Sequence, residues 1–239
     1  SDVAVRRIAF GGGSPNAISP AEFLALVDRL AARFRFTDPA FSIELDPRTF
    51  TAGWAKAVGQ VGIECASLGV QTFALHCQEA IGRIQPESLI ERSVGLLRDN
   101  GVSSLNFDLM YGLPYQSHED LRDSLERSLP LGPERIALFG YAHVPHLIPR
   151  QRVIDADTLS GPVDRFAMAL LGHEMLASHG YRAIGFDHFA LPDDPLAQAA
   201  ATGHLRRNFQ GFTDDQSSNL IGLGSSAISS FPGLLVQNE

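Results

Sequence analysis

Short apolar runs alternate with amphipathic helical stretches along almost the whole chain, and this alternation limits the possible folds more than any other feature. Val5 to Phe10, Phe41 to Leu45, Ile63 to Val70, Ser104 to Met110, Arg135 to Tyr141 and Tyr181 to Phe186 each read as a strand, and helical sequence follows each one. Runs that are apolar rather than alternating suit strands covered on both faces. Strict strand–helix alternation implies a parallel sheet joined by right-handed crossovers. Six units fall short of the eight that close a barrel. The expected fold is α/β: a partial (βα)6 TIM-like barrel with a parallel sheet and helices outside. A complete eightfold barrel drawing on Leu205 to Pro232 is the alternative. The 239 residues are ample for one core and show no internal boundary, so one domain over residues 1–239 is expected.

Local signals punctuate the pattern. Ser19-Pro20-Ala21-Glu22 is a capping box with proline at the first helical position, opening a helix that carries Phe23, Leu26, Val27 and Leu30 on one face. Helices are expected over Thr51 to Gln60, Leu75 to Ile81 and Glu87 to Asn100, the last stopped by Gly101. Another spans Ser117 to Leu129, with Ser117 and Asp120 at capping-box spacing. A long one, Leu159 to His179, stops at Gly180, and Asp193 to Leu205 also looks helical.

Composition excludes several function classes. The net charge is −8, from 19 basic and 27 acidic residues, which argues against a nucleic-acid partner. The most apolar stretch, Phe166 to Leu176, is interrupted by Gly172, His173 and Glu174, so no membrane span is expected. Ser1-Asp2-Val3 leads into a strand with no signal-peptide pattern. A cytoplasmic location is expected. Lys56 is the single lysine and sits in a helical segment, which disfavours Schiff-base chemistry. Cys65 and Cys77 match no metal-binding spacing and read as buried free thiols.

Chemistry in barrel folds gathers at the carboxyl ends of the strands. Those ends carry Gly11-Gly12-Gly13, then Glu44 and Asp46, Gln71, Asn106 and Asp108, Tyr141-Ala142-His143, and Asp187-His188. Polar groups converging from six strands mark a site. The glycines let a ligand approach bare backbone, and they equally suit a tight turn. Glu44 and Asp108 suit ribose hydroxyls or an ammonium group, or simply a capped loop. Arg83 suits a ligand's polar tail or a helix surface. His143 and His146 beside proline read as a loop rather than a zinc site, and Asp187 with His188 reads as a proton-transfer pair or a hydrogen-bonded loop.

Longer motifs carry a resemblance. Phe10-Gly-Gly-Gly-Ser-Pro15, Ile43-Glu-Leu-Asp-Pro-Arg48 and Leu68-Gly-Val-Gln71 resemble the core of radical S-adenosylmethionine enzymes. Asn106-Phe-Asp-Leu-Met-Tyr-Gly-Leu-Pro114, Phe139-Gly-Tyr-Ala-His-Val-Pro145 and Asp187-His-Phe-Ala190 narrow it to the oxygen-independent coproporphyrinogen III oxidase family. Arg207-Asn-Phe-Gln-Gly-Phe-Thr213 and Gly224-Ser-Ser-Ala-Ile-Ser229 agree. The resemblance implies oxidative decarboxylation of two propionates of coproporphyrinogen III to vinyl groups, giving protoporphyrinogen IX in haem biosynthesis. The implied cofactors are a 4Fe-4S cluster and two S-adenosylmethionine molecules, and the implied chemistry is that of a deoxyadenosyl radical. Gly12 and Glu44 match contacts to the cluster-bound S-adenosylmethionine. Gly13, Ser14, Gln71, Arg83, Asp108, Ala142 and Ile228 match contacts to the second molecule. Implied partners are the porphyrinogen substrate and an electron donor, with a monomeric protein. Arg206 and Arg207 are candidates for gripping a propionate.

One departure is large. The family's cluster ligands form a Cys-x-x-x-Cys-x-x-Cys loop, and this sequence holds no such triplet. The expectation is a barrel fragment, inactive alone, without the cluster-binding segment and the later helical domain. The rival functions are a haem chaperone of the same superfamily and a cluster-free barrel that binds a nucleoside or porphyrin.

Overall fold

The computed structural model describes residues 4–208 and 211–239. Its first five strands are β1 (Ala4–Phe10), β2 (Arg35–Leu45), β3 (Cys65–Gln71), β4 (Ser104–Tyr111) and β5 (Arg135–Gly140). They lie side by side in chain order and pair in parallel. Helices fill the crossovers, as parallel pairing requires. These are α1 (Pro20–Arg33), α2 (Ala52–Val61), α3 (Leu75–Ala80), α4 (Glu87–Asp99) and α5 (His118–Ser128), with α6 (Pro162–Ser178) after β5. Both expected capping boxes form, at Ser19 with Glu22 and at Ser117 with Asp120.

The core lies between this sheet and its helices. Leu68, Leu105, Phe107 and Leu109 are 0% exposed, and burying each such side chain contributes roughly 1.5–3 kcal/mol. They pack in one cluster with Trp54, Ile90, Leu97, Leu121 and Met168. The expectation of strands apolar on both faces needs correction here. In β3, and in β4 as far as Leu109, burial alternates, with Ala66, Leu68 and Val70 buried and Ser67, Gly69 and Gln71 half-buried between them. One face is core; the other carries small and polar residues.

The sixth unit also differs from expectation. Tyr181 to Phe186 is not a parallel strand: β6 (Arg182–Ala183) turns back as β7 (His188–Ala190), which runs antiparallel to both β6 and β5. The apolar signal was real, since Tyr181 and Ile184 are each 6% exposed. The short connection to β7, however, leaves room only for a hairpin. The sheet order is β1-β2-β3-β4-β5-β7-β6, with β1 and β6 at its edges. A second difference is β2, which begins at Arg35 rather than Phe41. The Thr37-Asp38-Pro39 breaker is absorbed by a register shift against β1, with Asp38 at φ +50°.

After β7 come α7 (Pro195–Ala201) and two antiparallel hairpins, β8 (Arg206–Asn208) with β9 (Gly211–Thr213) and β10 (Ile228–Phe231) with β11 (Leu234–Gln237). Among the described residues of 205–232, the strands pair only within these two antiparallel sheets, and none joins the parallel sheet. Among the described residues no helix is long and apolar enough to cross a membrane. The expectations about Ser1 to Val3, and the Phe209-Gln210 part of one motif, lie outside the described residues.

Candidate functional site

The carboxyl ends of β1 to β4 surround an open cavity of about 180 Å³. The loop after β1 comes close enough to touch β2. Gly12, at φ +78°, donates its backbone N–H to Glu44 Oε2 at 3.2 Å. A Cβ on Gly11 would stand 2.7 Å from the Glu44 carboxylate, so a larger residue there would push that side chain out of its present place. Gly13, Ser14, Glu44, Arg83 and Asp108 all line the cavity.

Two aspartates at the site are tuned in opposite directions. Asp108 is tied to its neighbours: Ser67 Oγ donates to Oδ2 at 2.9 Å, and Asn106 Nδ2 donates to Oδ1 and to Ser67 Oγ, each at 2.8 Å. Its pKa is nevertheless pushed up to about 6. Loss of water is the main cause and the charge of Glu44 adds to it, while the two hydrogen bonds and nearby His188 pull the other way. For Asp46, burial also opposes ionisation, but hydrogen bonds from Arg48 and the charges of Arg83 and Arg48 outweigh it. Its carboxyl therefore sits below the usual range. Arg48 Nη2 reaches Asp46 Oδ2 at 2.7 Å and Arg83 Nη2 reaches Oδ1 at 3.4 Å. Buried Asn16 clamps the same backbone, donating to Asp46 O at 2.8 Å and accepting from Asp46 N at 3.0 Å. Burial lowers the pKa of Arg83, with Asp46 offsetting part of the effect. With Glu44, the cavity wall presents three carboxyl groups, of which Asp46 is a firm anion, and the guanidinium of Arg83.

The remaining sequence candidates scatter. Gln71 is half-buried beside this cavity, its amide nitrogen next to Gly69 and Arg83. Ala142 and Ile228 are not in the cavity lining. Ala142 lies in the loop after β5, its carbonyl accepting from Gln151 at 2.9 Å, and Ile228 pairs with Gln237 in the last hairpin. His188 Nδ1 and Asp187 Oδ1 are 2.6 Å apart, the imidazole ring set between the edges of Phe139 and Phe212. His143 Nδ1 lies 3.4 Å from Tyr141 Oη. Arg206 donates to Gln216 O at 3.0 Å, and Arg207 lies over the Phe212 ring at 5.2 Å.

Sequence reasoning missed Ser67, Asn16 and the buried Gln85. Ser67 had a usable signal, because strand period two puts it on the same face as Gly69 and Gln71. Asn16 had none, since its partner lies 30 residues away. It also missed His76, Cys77 and Asp120, whose donor atoms lie within 4.8 Å of one another. Asp120 is occupied in the capping box of α5, accepting from Ser117 N at 2.7 Å, and burial pushes the Cys77 thiol up to about 12. That trio is a contact between α3 and α5. Cys65 stands at the start of β3, lining a second cavity of about 400 Å³ at the opposite strand ends, and burial raises its thiol as well.

Comparison with known proteins places these features. The chain is 44% identical over 237 residues to the oxygen-independent coproporphyrinogen III oxidase of Cereibacter sphaeroides, covering 99% of this chain and 52% of that protein. Against the Pseudomonas aeruginosa protein of the same name the identity is 39%, covering 98% and 52%. The chain thus spans about half the length of the curated relatives it matches. The solved structure of Escherichia coli coproporphyrinogen III oxidase, described as a radical SAM enzyme, superposes with a TM-score of 0.96 at 37% identity. That match covers 99% of this chain and 55% of the other. An archaeal Elp3 from Methanocaldococcus infernus shares the fold alone, with a TM-score of 0.54 and 14% identity over 69% of this chain and 44% of that one. The family model for the radical SAM superfamily matches residues 2–127, the stretch that holds β1 to β4 and nearly all of α5. That is more than half of the chain and most of its parallel sheet, and on this ground the protein belongs to the radical SAM superfamily.

Proposed function

We propose that residues 1–239 are the S-adenosylmethionine-binding barrel portion of an oxygen-independent coproporphyrinogen III oxidase. The whole protein would oxidatively decarboxylate two propionates of coproporphyrinogen III to vinyl groups, giving protoporphyrinogen IX. One observation supports this most. Gly13, Ser14, Glu44, Arg83 and Asp108, drawn from four separate stretches of the sequence, line one cavity.

Bound S-adenosylmethionine supplies the superfamily's radical chemistry; the residues here bind and orient it. The cavity suits such a ligand. Its glycine edge admits a nucleoside against bare backbone, and the carboxyl oxygens of Glu44 and Asp108 accept from ribose hydroxyls or an ammonium group. Arg83, a planar donor, faces a carboxylate. In this assignment Gly12 and Glu44 serve one molecule, and Gly13, Ser14, Gln71, Arg83, Asp108, Ala142 and Ile228 serve a second.

An iron–sulfur cluster does not fit the cysteines present. Cys65 and Cys77 lie on different elements, at the foot of β3 and inside α3, and burial keeps both thiols protonated, whereas clusters are held by several thiolates. The porphyrinogen substrate, an electron donor, a monomeric state and a cytoplasmic setting complete the proposal for the whole protein.

The test is calorimetric titration of the chain with S-adenosylmethionine. Binding is expected, and Asp108→Ala should weaken it by on the order of 1.5–3 kcal/mol, the usual worth of a hydrogen bond to a charged group. Equal affinity in parent and variant would remove Asp108 from the site.

A further inference from the structure

The exit of β3 holds an unfavourable conformation. Its register against β4 slips between Gly69 and Gln71, and Gln71 takes φ +66°, a left-handed value uncommon for a residue with a side chain. Thr72 N donates to Val70 O at 2.9 Å, closing a three-residue turn with Gln71 at its apex. Such turns are rare and strained, and strain of this kind persists only where the surroundings over-determine it.

Two buried glutamines hold the turn, and Arg83 Nη2 shares one of their acceptors, donating to Gly69 O at 3.1 Å. Gln85, 1% exposed, donates its side-chain amide to Gly69 O at 3.0 Å and Val70 O at 2.9 Å, on the near side of the turn. Gln78 donates to Thr72 O at 2.7 Å on the far side and to Gln85 O at 3.0 Å, while its own carbonyl accepts from Gln85 N at 2.8 Å. The two side chains bracket the turn, and neither lines the cavity. Both neighbours of the Gln85 amide are carbonyl oxygens, which fixes its nitrogen toward them. Its Oε1 is buried without a partner among the described residues. An apolar side chain of similar length would avoid that cost, so the two donors explain why a glutamine stands there.

We propose that Gln85 and Gln78 are positioning residues that hold the turn and aim Gln71 at the ligand, acting on the ligand only through Gln71. The inference rests on the assignment of Gln71 as a contact to bound S-adenosylmethionine.

The test compares the full chain with Gln85→Met and Gln78→Met, which keep volume and lose the donors. Hydrogen exchange of the Thr72 amide needs no ligand, and loss of the bracket should speed it on the order of tenfold while the β4 amides hold their rates. Affinity for S-adenosylmethionine is then measured in a double-mutant cycle with Gln71→Ala. Gln85→Met should weaken binding about fivefold beside Gln71 and leave it unchanged beside Ala at that position. Unchanged Thr72 exchange in both variants overturns the bracket. An equal affinity loss with and without Gln71 overturns the positioning role, since general softening of the fold would not depend on that side chain. If the parent chain binds no S-adenosylmethionine, the assignment of the site fails, and the exchange rates still decide the bracket.

Discussion

From β1 to β5, each strand lies against neighbours and is followed by helical cover; after α6 the chain builds strands by folding back on itself. The two regions differ sharply in burial. β4 alternates fully buried and half-buried residues, whereas all four residues of β11 are exposed. The difference explains where the site lies. A side chain on β3 or β4 is fixed by strands on both sides, so Ser67, Asn106 and Asp108 hold one geometry without a ligand. The last hairpin is held by smaller means: a bridge from Leu220 to Ser230, and Asn238 donating to Gly222 O and Gly224 O. Rigidity comes from the parallel region.

Core truncation is the harshest challenge to this contrast. Leu109→Ala in β4 should cost roughly 2–5 kcal/mol in urea denaturation. Leu235→Ala in β11 should stay within about 0.5 kcal/mol, as surface changes do. Comparable losses at the two positions would break the comparison.

Asp108 sharpens it next. Its pKa is raised in the folded chain to about 6 from 3.8, so the unfolded state loses this proton first as pH rises. Stability therefore falls through that window and the penalty is full above it. Asp108→Asn should gain on the order of 1–3 kcal/mol near pH 8 and nothing near pH 3. Denaturation at both pH values checks the sign. A gain that is equal at both would show that the carboxyl's charge is not the cause.

A smaller effect is expected at the helix starts. Ser19→Ala removes the cap of α1 and should cost about 1 kcal/mol. Asp194→Ala, at the cap of α7, should cost more than a cap alone. Its carboxylate also pairs with Arg135 at 2.7 Å, tying the later region to β5. Equal melting shifts for the two would mean that this tie carries no weight.

The parallel region was legible in the sequence because its signals are local. Capping boxes, the glycine stop at Gly101 and short apolar runs each act within a few residues. The direction of a strand is not local. Tyr181 to Ile184 has the same apolar content whether it runs parallel or turns back, so the sixth unit was misassigned. Within the site, Glu44 and Asp108 were visible as charges at strand ends. Gln85 was not, because its importance comes from two carbonyls 15 and 16 residues away that are freed by a register shift.

The exposed hairpin has a colloidal consequence. Leu234, Leu235 and Val236 are 56%, 61% and 43% exposed along β11, whose outer edge pairs with no strand among the described residues. An apolar strand edge of this kind is a template for self-association. Between identical molecules of net charge −8, repulsion keeps such edges apart at low ionic strength, and added salt shortens its reach to roughly 8 Å at physiological concentration. Light scattering from this chain should therefore rise with salt, and a charged residue in place of Leu235 should suppress that rise.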